Sequence, residues 1–237
     1  MVPPVRGCPH RACIAGPGNQ GSGWAMALDE AKLSQHAVET RKSVLDAGLD
    51  AFFEHGFEGS TIRDIARRVS LNSASLYYYF PSKHAILHGI MLSAMNDLLA
   101  EAKQAMEEAV PSAVSRLSAV LLTHIHFHGT RRKEAIITEF ELRLITPERR
   151  QEVAQLRDEY EDILRQLVHQ GIHEGAFRCV DVDLAVRAMI WSCSSVAQWY
   201  RPDGPLSLPE IARYYADLWI TALLGADLPP VVLTEKP

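Results

Sequence analysis

Residues 60–83 have the sequence S-T-I-R-D-I-A-R-R-V-S-L-N-S-A-S-L-Y-Y-Y-F-P-S-K, which contains two helix starts in close succession. Thr61 followed three positions later by Asp64 is a capping-box pattern, and Asn72 is a favoured N-cap. Pro81 disfavours helical geometry in the residue before it and ends the second helix. The stretch therefore predicts two short helices joined by a tight turn. Apolar residues at helical spacing form their buried faces: Ile62, Ile65, Ala66 and Val69 in the first helix, and Leu76, Tyr79 and Phe80 in the second.

The outward face of the second helix combines small, hydroxyl-bearing and aromatic side chains. Small residues at its N-terminal end let the backbone come close to the base edges of DNA, and hydroxyl groups bond to bases or phosphates. We therefore predict a DNA-binding helix-turn-helix, with an amphipathic helical hairpin of no special purpose as the alternative. The residues expected at base edges are Ser73, Ala74, Ser75 and Tyr78; those expected at phosphates are Thr61, Tyr77 and Lys83, and Arg63 lies on the exposed face of the first helix.

The segment Leu76–Lys83, L-Y-Y-Y-F-P-S-K, resembles the signature of the TetR family of transcriptional repressors. Two sites depart from the family pattern. Ser70 stands where the family usually has a turn glycine, and a positive φ there costs serine more than glycine. Ala74 and Ser75 stand where Gly-Thr is common, which changes base preference without changing the fold. The resemblance implies a homodimer that binds a palindromic double-stranded DNA operator and is released by a small-molecule effector.

The charge of the chain is unevenly distributed. Its 237 residues carry 24 basic and 29 acidic side chains, a net charge of −5. Residues 37–90 carry six of each sign, so the negative excess lies further along the chain. The net negative charge does not exclude DNA binding, because DNA binding needs only a local basic patch. It argues only against non-specific binding along nucleic acid. Four scattered cysteines fit a reducing cytoplasm, and no apolar run is long enough for a membrane span.

Hydrophobic periodicity predicts an all-α chain, because no strand-like alternation extends over any comparable length. Residues 1–36, rich in Gly, Pro, Ser and Ala, are expected to form a disordered arm. Residues 37–83 are the predicted three-helix helix-turn-helix DNA-binding domain, residues 84–225 the helical ligand-binding and dimerisation domain, and residues 226–237 a tail. Outside residues 60–83, helices are expected at 37–55, from Lys83 to about 109, 112–128, 131–145, 147–175, 181–200 and 207–224, with breaks at Gly56, Gly129 and Gly175 among others.

The last two predicted helices carry more apolar surface than a solvent-facing helical pair should show. A second pair of helices would cover this surface. In the resembled family these helices form a four-helix bundle across a two-fold axis. Two recognition helices about one turn of DNA apart then require a palindromic operator.

Effector binding is expected in the C-terminal half of the chain. Phe127, Phe140 and Trp191 are candidates for an apolar cavity wall. The segment Trp199–Ser207, W-Y-R-P-D-G-P-L-S, is similar to a corner found in a TetR branch released by acyl-CoA esters. That resemblance implies an acyl-CoA effector, with Arg187, paired with Trp191 on the preceding helix, as the candidate cation. The alternative within the class is an efflux repressor that responds to drugs or aromatic compounds.

The chain shows no recognisable catalytic or metal-binding pattern. His124 and His128 share one helical face while His126 points away, so at most two of the three could bind one metal ion. No Ser-His-Asp, Cys-His or paired-carboxylate arrangement has readable spacing. We therefore expect no cofactor, no metal and no enzymatic activity. The alternative from another class is a helical ligand-binding protein or enzyme without DNA preference.

Overall fold

The computed structural model describes residues 35–224, and the described residues from Arg41 onward belong to one compact unit. Every regular element among the described residues is helical, which confirms the predicted all-α class. The predicted arm and tail lie outside these residues, except that the first helix already begins at Gln35. The elements are α1 Gln35–Gly59, α2 Ile62–Arg68, α3 Ser73–Tyr79, α4 Lys83–Glu108, α5 Ala113–Thr130, α6 Arg132–Phe140, a 3₁₀ turn Leu142–Leu144, α7 Pro147–His173, α8 Val182–Ser194, α9 Val196–Trp199 and α10 Leu208–Leu224.

The bend near the end of α1 fixes the wall on which the helix-turn-helix packs. Gly56 has φ +72°, so the straight part of α1 ends just before it, as the glycine predicted. The buried hydroxyl of Ser60 lies 2.8 Å from the carbonyl oxygens of both Ala51 and Gly56, so its hydrogen is shared between two carbonyls of α1. Phe57 is buried below the bend, with its ring centroid 5.2 Å from that of Phe52.

Both predicted helix starts in the helix-turn-helix are confirmed. The Thr61 hydroxyl accepts the backbone N–H of Asp64 at 3.1 Å and caps α2. The side chain of Asn72 accepts the backbone N–H of Ser75 at 2.8 Å and caps α3. Between the two helices Ser70 has φ +55°, the positive value predicted for this turn position. Each N-cap supplies a partner for an otherwise unpaired N–H group at its helix start.

Helix α4 is the central helix of the C-terminal half. Ser82 caps its first turn through the N–H of Ala85 at 3.1 Å. The helix packs against α5, α6 and α7, and α10 packs on α5 from another side. One end of α4 therefore adjoins the helix-turn-helix, while its middle lies among the helices that surround an internal cavity. The buried residues of α4 are Ala85, Ile86, Leu87, Ile90, Met91, Ala94, Met95, Leu98, Leu99 and Ala102.

The predicted helix break at Gly129 is wrong, because α5 continues through it to Thr130. Gly129 is buried against Leu208, at the start of α10. A Cβ atom at position 129 would lie only 2.3 Å from the Leu208 side chain. The glycine is needed for the close packing of two helices rather than for a turn.

The helix predicted over 131–145 is shorter than expected. Helix α6 ends at Phe140 and is followed by the 3₁₀ turn. Near this end, the carbonyl oxygen of Thr138 accepts a hydrogen bond of 2.8 Å from the guanidinium of Arg157 on α7. A partner distant in sequence thus satisfies a carbonyl of the last helical turn.

The helix predicted over 181–200 is also interrupted. Helices α8 and α9 meet at Ser195, whose hydroxyl donates to the carbonyl oxygen of Ser192 at 2.6 Å. Serine side chains that bond nearby carbonyls compete with the helical pattern, and such competition interrupts or bends a helix.

Candidate functional site

The recognition helix α3 leaves its predicted base-contacting side chains accessible. Tyr78 is 78% exposed and Tyr77 is 51% exposed, unusually high fractions for large aromatic residues. Ala74 is exposed as well, whereas Ser73 and Ser75 are partly buried. These five residues lie together on one short helix, and their contacts with bases or phosphates remain predictions.

The basic residues of α2 differ in how strongly they are held by the protein. Arg67 pairs with Asp64 at 3.0 Å, and Arg68 pairs with a glutamate of α1 at 2.6 Å. The pKa of Asp64 is lowered, first by the hydrogen bond from the Thr61 hydroxyl and then by the charge of Arg67. Arg63 is exposed, and its side chain forms no hydrogen bond or ion pair with any residue between 35 and 224. Of the three arginines of α2, Arg63 is therefore the one that could contact a phosphate without breaking an existing ion pair.

Lys83 has a structural role that sequence reasoning missed. Its ammonium donates to the carbonyl oxygen of Phe57 at 2.5 Å and to that of Ser60 at 3.0 Å. It also lies 4.2 Å from the centroid of the Phe57 ring, a cation–π distance. Lys83 thereby holds the start of α4 to the bend after α1. Its predicted phosphate contact would have to use the remaining N–H group or replace one of these bonds.

A cavity of about 170 Å³ lies in the C-terminal half of the chain. Its wall comes from α4, α5, α6, α7, α8 and α9, so residues far apart in sequence meet there. Three of the four predicted effector residues, Phe127, Phe140 and Trp191, line it. The fourth, Arg187, is exposed on α8 and is not among the lining residues. The lining arginine is Arg157 of α7, which no local sequence pattern indicated.

Four side chains form a polar cluster in the cavity wall: His124, His128, Tyr160 and Ser194. The Nδ1 and Nε2 atoms of buried His124 lie 2.7 Å from the Tyr160 hydroxyl and 3.0 Å from the Ser194 hydroxyl. Burial lowers the pKa of His124 well below its ordinary value, and burial lowers that of His128 to about 4. Burial raises the pKa of Tyr160, so its hydroxyl keeps its proton. The cluster is therefore electrically neutral at neutral pH, although three of its members are titratable.

The arrangement of the histidines agrees with the sequence prediction. The rings of His124 and His128 stack with centroids 4.1 Å apart, while His126 is exposed. Within residues 35–224 no three His, Cys, Asp or Glu side chains are grouped so that they could hold a metal ion. Over the same range no helix has the length and apolar character needed to cross a membrane.

The cavity opens between aromatic side chains and one ion pair. Phe140 and Trp191 line the cavity but are 49% and 62% exposed, so they lie at its mouth. Arg157 pairs with Glu139 at 3.3 Å, and both line the cavity. The hydroxyl oxygen of Thr138, on the same wall, is buried without a hydrogen-bond partner among the described residues. An apolar interior with polar groups at defined points is typical of small-molecule sites.

Two ion pairs at the start of α6 connect the cavity wall with helices α1 and α4. Arg131 contacts Asp97 of α4 at 2.7 Å, and its guanidinium lies 4.7 Å from the ring centroid of the cavity residue Phe127. Lys133 contacts Asp50 of α1 at 2.5 Å. The same α6 supplies five cavity-lining residues further along. A displacement of α6 would therefore strain contacts with both α1 and α4.

Large exposed apolar side chains occur on both α8 and α10. Leu184 of α8 is 65% exposed, and Tyr214 and Leu218 of α10 are 69% and 51% exposed. The Trp219 indole of α10 donates to the Ser192 hydroxyl of α8 at 2.9 Å, so the two helices are held together. This pair of helices, the α8/α10 face, presents the apolar surface that the sequence predicted.

The chain combines an accessible recognition helix with a helical domain that contains a cavity, and α4 joins the two. This combination is typical of helix-turn-helix regulators of transcription. The family model for bacterial regulatory proteins of the tetR family matches residues 44–90. The model for the tetracyclin repressor-like C-terminal domain matches residues 110–223. The chain belongs to the TetR family of transcriptional regulators, as the resemblance of its helix-turn-helix indicated.

Relatives of similar length support this assignment. PfmR of Thermus thermophilus is a TetR family regulator of known structure and is 33% identical to this chain. The superposition covers 75% of this chain and 96% of PfmR, with a TM-score of 0.69. The transcriptional repressor KstR2 of Rhodococcus jostii is 26% identical over 184 residues, which are 77% of this chain and 90% of that protein. AibR, solved with isovaleryl coenzyme A and operator DNA, is similar in fold, with 23% identity, coverage of 76% and 97%, and a TM-score of 0.70. PfmR and KstR2 are regulators of transcription, which agrees with the expectation that the chain is not an enzyme.

Proposed function

We propose that the protein is a homodimeric repressor that binds a palindromic operator and leaves it when an acyl-CoA ester places its acyl group in the cavity. The observation that carries this proposal is the position of α6. Its later residues line the cavity, and its first residues pair with α1 and α4. One short helix therefore connects a ligand-sized space with the elements that carry the helix-turn-helix.

The DNA-binding part of the proposal rests on the exposed side chains of α2 and α3. Ser73, Ala74, Ser75 and Tyr78 would face bases, while Thr61, Arg63, Tyr77 and Lys83 would contact phosphates. Loss of a base contact should cost about 1–3 kcal/mol and relax sequence preference, whereas loss of a phosphate contact should weaken all sequences alike. Such a regulator would work in the cytoplasm, where its operator is accessible.

The dimer part rests on the α8/α10 face. Apolar surface is exposed at Leu184, Tyr214 and Leu218, on two helices that a hydrogen bond links. A second copy related by a two-fold axis would cover this surface with the same residues. The resulting pair of recognition helices would match two half-sites of a palindrome.

The effector part rests on the size of the cavity and the chemistry of its wall. A space of about 170 Å³ is close to that of an engineered cavity of about 150 Å³ that holds benzene, and is below the usual range for drug-sized ligands. A short acyl chain or a single ring fits, and a coenzyme A moiety would have to remain at the mouth beside Arg157. The AibR complex, a neighbour in fold, contains an acyl-CoA with such a short chain.

Release requires that the effector bind the DNA-free conformation more tightly than the DNA-bound one. In our proposal the acyl group displaces α6 and weakens its contacts with Asp50 and Asp97. The helix-turn-helices of the two protomers then lose the spacing that matches the operator.

A mobility-shift titration on the DNA that flanks the gene tests the whole proposal. We would add coenzyme A alone, acetyl-CoA, isovaleryl-CoA and octanoyl-CoA, with benzoate as an aromatic compound that lacks phosphates. The proposal predicts a specific complex that at least one of the esters dissolves and coenzyme A alone does not. Release by benzoate but by no ester would support a repressor that responds to aromatic compounds. The aromatic side chains at the mouth of the cavity favour this alternative. No sequence preference on that DNA or on genomic fragments would favour the ligand-binding protein without DNA preference.

A further inference from the structure

The orientation of the His128 imidazole leaves one hydrogen-bond acceptor available in the cavity wall. Its Nδ1 atom lies 2.8 Å from the backbone carbonyl oxygen of His124. A carbonyl oxygen only accepts, so Nδ1 carries the hydrogen and Nε2 carries the lone pair. The lowered pKa of about 4 keeps this ring neutral at neutral pH. Nε2 has no hydrogen-bond partner among residues 35–224, although the ring lines the cavity.

The neighbouring Ser194 hydroxyl supplies a donor. His124 lies between two hydroxyls, that of Tyr160 at Nδ1 and that of Ser194 at Nε2. Tyr160 is buried and its hydroxyl has no other hydrogen-bond partner among residues 35–224, so it donates its hydrogen to Nδ1. Nε2 then carries the hydrogen of His124 and donates it to Ser194. The hydrogen of the Ser194 hydroxyl is left for another acceptor, because Ser194 makes no other side-chain hydrogen bond within the described range.

These two groups lie close together. The His124 and His128 rings stack at an interplanar angle of 18°, and Ser194 is hydrogen-bonded to the first of them. All three residues line the same cavity. The wall therefore offers one acceptor and one donor, both next to the His124 ring, in addition to the unpaired Thr138 hydroxyl and within mainly apolar surroundings.

We propose, on the basis of the function proposed above, that the effector carries a hydroxyl group at its buried end. This hydroxyl donates its hydrogen to Nε2 of His128 and accepts a hydrogen from the hydroxyl of Ser194. The apolar part of the ligand fills the space beside Met95, Leu98 and Ile190, which line the cavity.

Other groups at the buried end fit this pair less well. An ionised carboxylate has no hydrogen for Nε2, and its negative charge would face a neutral cluster. The lining arginine, Arg157, already contacts Glu139 and the carbonyl oxygen of Thr138. A plain hydrocarbon would leave both polar groups of the wall unpaired, which sites built for hydrogen bonding discriminate against strongly.

Calorimetric titration of the DNA-free protein with three small probes tests the proposal. Phenol carries a hydroxyl, anisole carries an oxygen that only accepts, and toluene carries no polar atom; all three approximate the cavity in size. We expect phenol to bind about tenfold more tightly than toluene, the ratio that one net hydrogen bond produces. Anisole should fall between them, because it can accept from Ser194 but cannot donate to His128.

Variants identify the groups responsible. The change His128→Phe keeps a flat ring but removes the acceptor, and should reduce the ratio of phenol to anisole affinity to about one, because only the bond from Ser194 remains for both probes. The change Ser194→Ala should reduce the preference for anisole over toluene. The matched control is His126→Phe, because His126 is exposed on the opposite face of α5 and does not line the cavity.

Equal affinity for phenol and toluene in the wild type, or a preference for phenol over anisole that survives His128→Phe in a folded protein, would overturn the proposal. Binding of none of the probes would also overturn it. Because these titrations contain no DNA, their result is separate from that of the mobility shift. Failure to bind an operator would contradict the proposed function. It would not affect the hydroxyl preference, which the calorimetric titrations test separately.

Discussion

Lys83 stabilises the fold of the DNA-binding half through the Phe57 and Ser60 carbonyl oxygens as well as being a candidate for DNA contact. We therefore expect Lys83→Ala to lower the free energy of unfolding by about 1–3 kcal/mol, since hydrogen bonds to a charged group are worth that much. It should also weaken binding to all DNA sequences alike and reduce the salt dependence of binding by about one phosphate contact. Urea unfolding and fluorescence anisotropy at several salt concentrations measure the two effects.

Lys103→Ala is the control for this substitution. Lys103 belongs to the same helix, but its ammonium pairs with Glu159 at the surface, away from the helix-turn-helix. It should alter neither DNA binding nor, beyond a few tenths of a kcal/mol, stability. If Lys83→Ala leaves binding and its salt dependence untouched, Lys83 does not contact phosphate.

His128 makes the stability of the protein depend on pH. Its pKa is about 4 in the folded protein, whereas an unfolded chain has an ordinary histidine pKa of about 6.5. Between these values the unfolded state binds more protons than the folded state, so stability falls as the pH falls. We expect His128→Phe to remove about 3 kcal/mol of the stability difference between about pH 7 and about pH 4, at about 1.4 kcal/mol per pKa unit.

Urea unfolding of both proteins at several pH values between those limits provides the measurement. The carboxylates of the same cavity, Glu139 and Glu161, are present in both proteins and cancel in the comparison. Parallel curves of stability against pH for the two proteins would show that His128 is not held neutral by its surroundings.

The residues that could be predicted from the sequence act through near neighbours. The Thr61 and Asn72 caps and the positive φ of Ser70 depend on bonds within a few positions, so their residue types and spacing were informative. Arg157 and Ser194 reach the cavity from helices distant in sequence, and nothing local marks them. The spacing of His124 and His128 did indicate a shared face, but not the hydroxyl partners of the first ring.

At the scale of whole elements, α6 is proposed to transmit effector binding to the DNA-binding half. The change Lys133→Ala removes its contact with Asp50 of α1. We expect the variant to bind DNA and effector separately almost as the wild type does, since an exposed ion pair contributes about 0–1 kcal/mol to stability. The factor by which the effector weakens DNA binding should fall several-fold, within the roughly 5- to 150-fold range that is typical of allosteric coupling.

DNA-binding titrations with and without saturating effector give this factor for each protein. The matched control is Lys103→Ala, which removes another exposed ion pair between helices, Lys103 with Glu159 at 2.6 Å. An unchanged coupling factor in Lys133→Ala, with full effector binding, would mean that the signal does not pass through this pair.

The helix boundaries show where sequence reasoning fails at this scale. Gly129 suggested a break, yet it permits α5 to approach Leu208 closely. The end of α6 depends on Arg157, which bonds the Thr138 carbonyl from α7. Both features are set by packing between distant segments, whereas the helices themselves follow from local periodicity.

For the whole molecule, the α8/α10 face should determine the assembly. We expect Leu218→Asp to convert the dimer into a monomer, because the interface would bury an unpaired carboxylate. Operator binding should weaken by at least a hundredfold, since one recognition helix would then act alone. Sedimentation equilibrium measures the mass, and anisotropy on operator DNA measures the affinity.

The control for this substitution is Val110→Asp, at an exposed apolar position between α4 and α5. It adds the same charge away from the α8/α10 face and should leave the mass unchanged. A Leu218→Asp variant that remains a dimer with full operator affinity would place the interface elsewhere.

The coupling between the cavity and the operator is tested most directly by calorimetry. The affinity of the protein for a CoA ester that dissolves the operator complex is measured in the absence and presence of saturating operator DNA. If occupation of the cavity and operator binding oppose each other, linkage requires the DNA to weaken effector binding by the factor by which the effector weakens DNA binding. We predict equal factors of at least tenfold. An effector affinity that is the same with and without operator DNA would show that the two binding events are independent, and would contradict the proposed release mechanism.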